Sequence, residues 1–78
     1  MSDYFLDING SINLSDYSNI EDYIKVVDFD DSIIIRFSRE NNDDVNIVEK
    51  ILERDNFNII SKGDEKHGKY FIKANKKI

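Results

Sequence analysis

The only histidine of the 78-residue chain, His67, is the first residue that acid–base chemistry would use. It follows Asp64 and Glu65 and precedes Gly68, in a polar stretch bounded by glycines. A catalytic histidine needs a nucleophile or a substrate proton within hydrogen-bond reach, and usually a carboxylate that orients the ring. A glycine-bounded loop does not hold a side chain rigidly. We therefore expect His67 to be exposed to solvent and the protein not to be an enzyme.

Carboxylates are the remaining groups with metal chemistry, because one histidine and no cysteine cannot form the common zinc ligand sets. They occur in two runs: Asp28 with Asp30 and Asp31, and Asp43 with Asp44. Calcium takes about six to eight oxygen ligands, and neither run has the spacing or the glycine of an EF-hand loop. The runs are typical of a turn and of a helix cap. We expect no metal site and no cofactor.

Glycines and lysines near the C-terminus raise the question of phosphate or nucleic-acid binding. Gly63 and Gly68 lack the Gly-Lys-Ser/Thr ending and the following helix of a phosphate loop. Residues 61–78 contain six lysines with Tyr70 and Phe71 among them, and such rings can stack on bases while lysines hold phosphates. The two rings are neighbours in a predicted strand and so point to opposite faces. Nucleic-acid binding by this Lys-rich hairpin is an alternative function, not the leading one.

Charge is unevenly distributed along the chain, whose net charge is −5. Residues 1–60 have a net charge of −9, and residues 61–78 have a net charge of +4. An acidic body favours association with a basic protein, although acidity also keeps a small protein soluble. Turns and helix ends project side chains outward. The candidate partner-binding residues are therefore Asp28, Asp30, Asp31, Asp43 and Asp44.

Length and composition favour one small domain, residues 1–78, with a frayed tail at 75–78. The longest apolar run, Ile33 to Ile35, is far shorter than the roughly 20 residues that span a bilayer. The N-terminus has no basic region before an apolar one. We therefore expect a cytoplasmic protein without membrane contact. Abundant Ile, Asn, Lys and Asp, with no Pro and no Trp, are typical of low-GC coding and indicate a bacterium, a phage or another mobile element.

Asn9-Gly10 is the strongest short hairpin signal in the chain, and it lies between two apolar-alternating runs. A two-residue turn there would divide the apolar side chains between both faces. Each buried side chain contributes about 1.5 to 3 kcal/mol, so we predict a longer loop ending at Ser11, which gathers them on one face. That face is Tyr4, Leu6, Ile8, Ile12 and Leu14.

Residues 18–38 admit two interpretations. A helix at about 19–28, with a capping box at Ser18 and Glu21, gives an apolar stripe at i, i+3, i+4 and i+7. A hairpin of 23–29 with 32–38 instead gives several apolar cross-strand pairs from one register, and we favour it. The helical stripe would be Ile20, Tyr23, Ile24 and Val27.

Three consecutive isoleucines lie in the second strand of this hairpin. Ile33, Ile34 and Ile35 place apolar groups on both of its faces. Parallel or central strands with this pattern are covered on each side. We therefore predict that strand 32–38 is central and covered on both faces.

A helix is predicted at about 43–54, and two strands follow it. Asn41 and Asn42 supply a cap, and the carboxylates after them suit the positive helix N-terminus. The predicted core-facing stripe is Ile47, Val48, Ile51 and Leu52. Strands at 57–62 and 69–74 form a hairpin across the glycine-bounded loop, in the register that pairs Ile59 with Ile72.

The predicted fold class is α+β, a mainly antiparallel sheet covered by one helix at about 43–54, in the chain order ββββαββ. The alternative has an extra helix at about 19–28. The leading function is a small acidic intracellular protein-binding module acting on a basic site of a larger protein, such as an inhibitor, an immunity-type protein or a phage product. A homo-oligomerising structural domain is an alternative. Its apolar contact would use Phe37, Phe71 or Tyr23.

Overall fold

The computed structural model describes residues 3–8, 12–38 and 42–77, which form a four-stranded mixed sheet with two helices. The elements in chain order are β1 Asp3–Asp7, α1 Leu14–Ile24, β2 Ser32–Ser38, α2 Asn42–Arg54, β3 Phe57–Asp64 and β4 Lys69–Lys76, with a 3₁₀ turn at Lys66–Gly68 before β4. The strands lie in the order β1-β2-β4-β3. β1 is parallel to β2, whereas β4 is antiparallel to both of its neighbours. The α+β class is confirmed. The predicted order ββββαββ is matched only in part, since these elements follow the order βαβαββ, and the predicted antiparallel character is matched only in part, since β1 is parallel to β2.

Helix α1 begins at a capping box that joins Asn13 to Asp16. The Asp16 amide donates to Asn13 Oδ1 at 3.1 Å, and the Asn13 amide donates to Asp16 Oδ2 at 3.0 Å. Ile20 and Ile24, about one helical turn apart, are 0% and 1% exposed. Most helical stability in proteins comes from such a buried apolar face. The cap and this face together account for the helix.

This helix corrects the predicted hairpin of 23–29 with 32–38. Strand 32–38 is present as β2, but its expected partner is not a strand. The helical alternative at about 19–28 is confirmed in part: α1 includes residues 19–24 but ends at Ile24, so residues 25–28 are not helical. Where the helix is present, its buried apolar face outweighs β propensity. The helix starts earlier than that alternative proposed, because its cap is Asn13 and not Ser18.

The predicted N-terminal hairpin is also wrong. β1 pairs with β2 in parallel, with Tyr4 opposite Ile33, and Leu14 is 83% exposed at the start of α1. Parallel strands need a crossover connection, which α1 supplies. The pairing places Tyr4 and Leu6 of β1 beside buried isoleucines of β2, so these two side chains gain the burial that favoured the hairpin. The expected turn at Asn9-Gly10 lies outside the described residues.

β2 is the central strand on which the core is built. It lies between β1 and β4, as predicted, and its residues Ile33, Ile35 and Phe37 are 0% exposed. The other face of β2 is not covered by a described element, and Ile34 and Arg36 are only half-buried there. The prediction of cover on both faces is wrong, because α1 and α2 contribute to one hydrophobic cluster on the same side. Phe37 is therefore a core residue and not an outlying dimer contact.

Helix α2, Asn42–Arg54, confirms the helix predicted at about 43–54. Ile47 is 38% exposed, however, and Val45 lies in the core instead. Val45 is in line with the rest of the buried stripe at the helical period, and Ile47 is not. The proposed cap Asn41 lies outside the described residues. The remaining core predictions are confirmed: Val48, Ile51 and Leu52.

β3 and β4 form the predicted C-terminal hairpin in a different register. Ile59 pairs with Ala74 rather than with Ile72, and a bulge follows Ile59. A shift of two residues leaves each side chain on its own face, so hydrophobic alternation does not distinguish the two registers. β4 runs into the segment 75–78 that the sequence assigned to a frayed tail, of which Ile78 lies outside the described residues.

The one-sided burial of β2 predicts unequal costs for two substitutions in one strand. Phe37→Ala removes a fully buried ring and should lower the free energy of unfolding by about 3 to 5 kcal/mol. Ile34→Ala shortens a half-buried side chain and should cost about 1 kcal/mol. Urea unfolding followed by circular dichroism measures both values. Failure of Phe37→Ala to fold while Ile34→Ala folds would also agree with unequal costs. Equal costs for Phe37→Ala and Ile34→Ala would contradict a one-sided core.

Candidate functional site

The sheet has one face that neither helix covers, here called the open face. Residues of the strands alternate between this face and the core, and cross-strand pairing aligns them in rows. One row crosses the sheet from Phe5 through Ile34 and Lys73 to Ser61. The open face consists of Asp3, Phe5 and Asp7 of β1; Ser32, Ile34, Arg36 and Ser38 of β2; Lys69, Phe71, Lys73 and Asn75 of β4; and Asn58, Ser61 and Gly63 of β3, together with the bulge residue Ile60, which lines one depression with Ser32, Lys73 and Asn75.

Large apolar side chains are exposed on and around the open face. Phe5 is 57% exposed, and Ile60, at the bulge of β3, is 51% exposed. Ile34 and Phe71 are half-buried between them. Phe29, 50% exposed, comes from the loop before β2 and lines a depression together with open-face residues. Apolar patches of this kind, bordered by polar residues, are typical of protein interaction sites.

Charged side chains border this apolar patch at the β3–β4 hairpin and are largely paired. Arg36 Nε lies 2.8 Å from Glu65 Oε1, and Lys69 Nζ lies 3.5 Å from Asp7 Oδ1. All four residues line an open depression of about 680 Å³. Exposed ion pairs contribute only about 0 to 1 kcal/mol each. The main effect of these pairs is therefore to cancel charge at this end of the open face, and they add little to the free energy of unfolding.

His67 lies in the turn between β3 and β4 and is exposed, as predicted. Its φ of 64° and the φ of 73° at Gly68 place both residues in the left-handed region that a tight turn uses. Glu65, one of the two carboxylates that precede the histidine, pairs with Arg36 instead. The segment is accounted for by its role as a turn.

The two predicted acidic groups lie at opposite ends of β2. Asp28, Asp30 and Asp31 precede the strand, whereas Asp43 and Asp44 follow it in the first turn of α2. β2 has seven residues, and a strand of that length spans roughly 20 Å. The structure therefore does not bring the five carboxylates together into one surface.

Asp28 and Asp31 close the turn before β2. The Asp31 amide donates to the Asp28 carbonyl at 3.0 Å, and the Asp28 amide donates to Asp31 Oδ2 at 3.2 Å. The Phe29 amide donates to Asp28 Oδ1 at 2.7 Å. Carboxylates that bond nearby backbone in this way stabilise turns. Asp30 makes none of these bonds and is exposed.

Asp44 connects the two helices. The Tyr17 hydroxyl donates to Asp44 Oδ1 at 3.4 Å. Partial burial raises the pKa of Tyr17 above its usual value, and the Asp44 charge and hydrogen bond raise it further, with smaller contributions from Asp16 and Asp43. A carboxylate in the first turn also suits the positive helix N-terminus. The fold accounts for these carboxylates without a ligand.

A second depression, of about 420 Å³, joins the 28–31 turn to the open face. It brings Asp30 and Asp31 close to exposed apolar side chains and to β4. The Oδ1 atom of Asn75 is buried at this place and accepts no hydrogen bond from any described residue. The depression is lined by Asp3, Phe29, Asp30, Asp31, Ser32, Ile60, Lys73 and Asn75.

Phe5, Phe29 and Ile60 are not among the site residues that the sequence predicted. For Ile60 and Phe5, the amino-acid sequence contains a local pattern that indicates exposure. Ile59 and Ile60 are adjacent in a strand, so one of them had to face away from the core, and the alternation that turns Tyr4 inward turns Phe5 outward. The closeness of Phe29 to Ile60 depends on the β2-β4-β3 order, which residue spacing does not reveal.

In the folded structure, lysines of the basic C-terminal segment lie beside carboxylates of the acidic segment, so the charges are less separated than along the chain. Lys62 Nζ of β3 lies 2.6 Å from Glu49 Oε1 of α2, and this bond and the Glu49 charge raise the pKa of Lys62. Lys69 pairs with Asp7 in the same manner. The basic C-terminal segment is thus interleaved with the acidic body, and segment charge does not describe the surface.

One aromatic residue of the Lys-rich hairpin shares the open face with lysines. Phe71 lies between Lys69 and Lys73 on the alternating face of β4, whereas Tyr70 is 8% exposed in the core. Since Lys69 is engaged with an aspartate, few cations remain beside that ring. Nucleic-acid binding stays an alternative prediction.

The described part of the chain has neither a cluster of metal ligands nor a helix that could span a membrane. Within residues 3–8, 12–38 and 42–77, no group of three or more His, Asp or Glu side chains is placed to hold a metal ion. None of the helices in those ranges has the length and apolar character required to cross a membrane.

Comparison with known proteins found no matching family model, no matching curated protein and no matching solved structure. Function is therefore inferred from the geometry of the surface.

The Tyr17–Asp44 contact predicts an alkaline transition. Because the folded-state pKa of Tyr17 is raised, its contribution to stability is complete below the usual tyrosine pKa and is lost as the pH rises through the raised value. Tyrosinate absorbance titration should show a late phase from the Tyr17 hydroxyl, and Tyr17→Phe should remove that phase. Asp44→Asn should move the phase to lower pH. A titration curve unchanged by Asp44→Asn would contradict the contact.

Proposed function

We propose that this chain is a small protein-binding module that covers a site on a larger protein, as an inhibitor or an immunity-type protein does. The observation that carries the proposal is the exposure of Phe5 and Ile60, 57% and 51%, at the open face. Fully burying a side chain of this size contributes about 1.5 to 3 kcal/mol, and covering these half-exposed ones adds roughly half of that. A partner that covers both, together with the half-buried Ile34 and Phe71, gains the apolar centre that dominates most interfaces.

The edges of the sheet favour a different protein over a second copy of this chain. The Tyr23 hydroxyl donates to the Phe5 carbonyl at 3.1 Å, which occupies an acceptor of edge strand β1. Two β1 strands paired about a two-fold axis at Phe5 would place Asp3 opposite Asp7, and like charges there destabilise pairing. The other edge strand, β3, is bulged after Ile59, and bulges disfavour strand addition. The partner is expected to cover the open face rather than to extend the sheet.

The partner surface should be apolar at its centre and basic at one side. Asp3, Asp30 and Asp31 lie together at one end of the open face. Complementary charge raises the association rate and fixes the orientation of a complex. The acidic site predicted from the sequence is therefore reduced to the turn before β2. Asp43 and Asp44 are outside the proposed surface, since they follow the opposite end of β2.

Affinity capture with paired variants tests the surface. Ile60→Asp puts a carboxylate on the open face, and Ile47→Asp makes the same change at an exposed position of α2, 38% exposed. From a lysate of the source organism, wild type and Ile47→Asp should retain a protein that Ile60→Asp loses, because a partner cannot bury an unpaired charge without cost. Circular dichroism checks that both variants fold. Equal retention by the two variants, or light scattering that shows a homodimer lost in Ile60→Asp, would overturn the proposal.

Charge neutralisation tests the basic side of the partner. Asp30→Asn with Asp31→Asn keeps the turn acceptor and removes two charges, so the association rate constant should fall about threefold or more at low salt. The matched control, Asp43→Asn with Asp44→Asn, should bind at the wild-type rate. Surface plasmon resonance with the captured partner, repeated across salt concentrations, measures both. The electrostatic part of the proposal fails if the two double variants bind at the same rate at every salt concentration.

A further inference from the structure

We infer that the depression between the 28–31 turn and the open face receives an arginine side chain of the protein partner, an inference that rests on the proposed function. This depression, of about 420 Å³, combines apolar and acidic lining. Phe29 and Ile60 supply the apolar part and are 50% and 51% exposed. The acidic part is supplied by Asp3, Asp30 and Asp31.

The two kinds of lining match the two parts of an arginine. Its methylene stem packs on apolar surface while its charged head stays near polar groups. Its guanidinium is planar, stacks on aromatic rings and donates to carboxylates in a fixed fork. A lysine ammonium can also pair with a carboxylate or lie over the Phe29 ring, but it is a compact charge and lacks the planar fork that can stack on the ring and bond the carboxylates at the same time. The lining therefore favours arginine over lysine.

An independent contact indicates that Phe29 attracts cations. Lys76 Nζ of the same chain lies 5.3 Å from the centroid of the Phe29 ring, within cation–π distance. Lys73 also lines the depression, where three carboxylates outnumber its single positive charge. The formal charge of this lining is therefore negative, and a negative lining favours a cationic side chain.

Asn75 supplies an acceptor that the described residues leave unused. Its buried Oδ1 atom has no hydrogen-bond donor among them, and leaving a buried polar group unsatisfied is unfavourable. Turning the amide toward the depression would expose this oxygen to a guanidinium. Arginine has more donors than any other side chain and is suited to an acceptor-rich site of this kind.

A titration with a small probe tests this inference without the partner. N-acetyl-arginine methylamide, added to ¹⁵N-labelled protein, should shift the amide signals of Asp30, Asp31 and Asn75 in a saturable way. N-acetyl-citrulline methylamide has the same shape without the charge and should leave those signals in place. Shifts of equal size with both probes, or arginine shifts spread evenly over all carboxylates, would overturn the inference.

Charge variants locate the binding site. Asp30→Asn should weaken the arginine affinity about threefold, the size expected for one exposed ion pair. Asp43→Asn removes the same charge beyond the other end of β2 and should leave the affinity unchanged; equal effects would refute the site.

Failure of the titration and failure of the capture experiment have different consequences. A negative titration refutes the arginine site and leaves the open-face proposal in place, whereas equal capture by Ile60→Asp and Ile47→Asp refutes the open-face proposal.

Discussion

Parallel strands cannot be joined by a tight turn, so the pairing of β1 with β2 requires a crossover, and α1 is that crossover. The Asn13–Asp16 capping box begins this helix, and Ile20 and Ile24 attach it to the sheet. Helix α2 joins the same hydrophobic cluster on the same side of the sheet. Both helices therefore bury one face of the sheet, and the other face remains in contact with solvent.

Because only one face of the sheet is buried, the other face is exposed to solvent. A small protein of this kind must avoid unspecific association through its sheet. The edges are protected locally, by the Tyr23 hydroxyl on the Phe5 carbonyl and by the bulge after Ile59. Unwanted strand addition is thereby opposed, while Phe5 and Ile60 stay accessible on the face itself. This combination suits a protein that binds by its face and does not polymerise by its edges.

Carboxylates in this chain serve several structural purposes before any partner is considered. Asp28 and Asp31 close a turn, and Asp44 accepts a hydrogen bond from Tyr17 between the helices. Glu49 neutralises Lys62 across two elements. Net charge along a segment is therefore a poor guide to the field at the surface, because folding places opposite charges side by side. The acidity that remains near the open face is concentrated around Asp30.

The amino-acid sequence by itself determined the elements whose signals are local: helix α2, strand β2 and the C-terminal hairpin, since periodicity and turn residues act over short distances. It also indicated the acidic turn at 28–31. Tertiary structure decided the rest. Local signals at 19–28 allowed a helix but favoured a strand hairpin, whereas the structure has a helix as far as Ile24, because Ile20 and Ile24 are buried in the hydrophobic cluster. The meeting of Asp30 with Phe29 and Ile60 depends on β4 lying between β2 and β3, and that order is a long-range property which residue spacing does not encode.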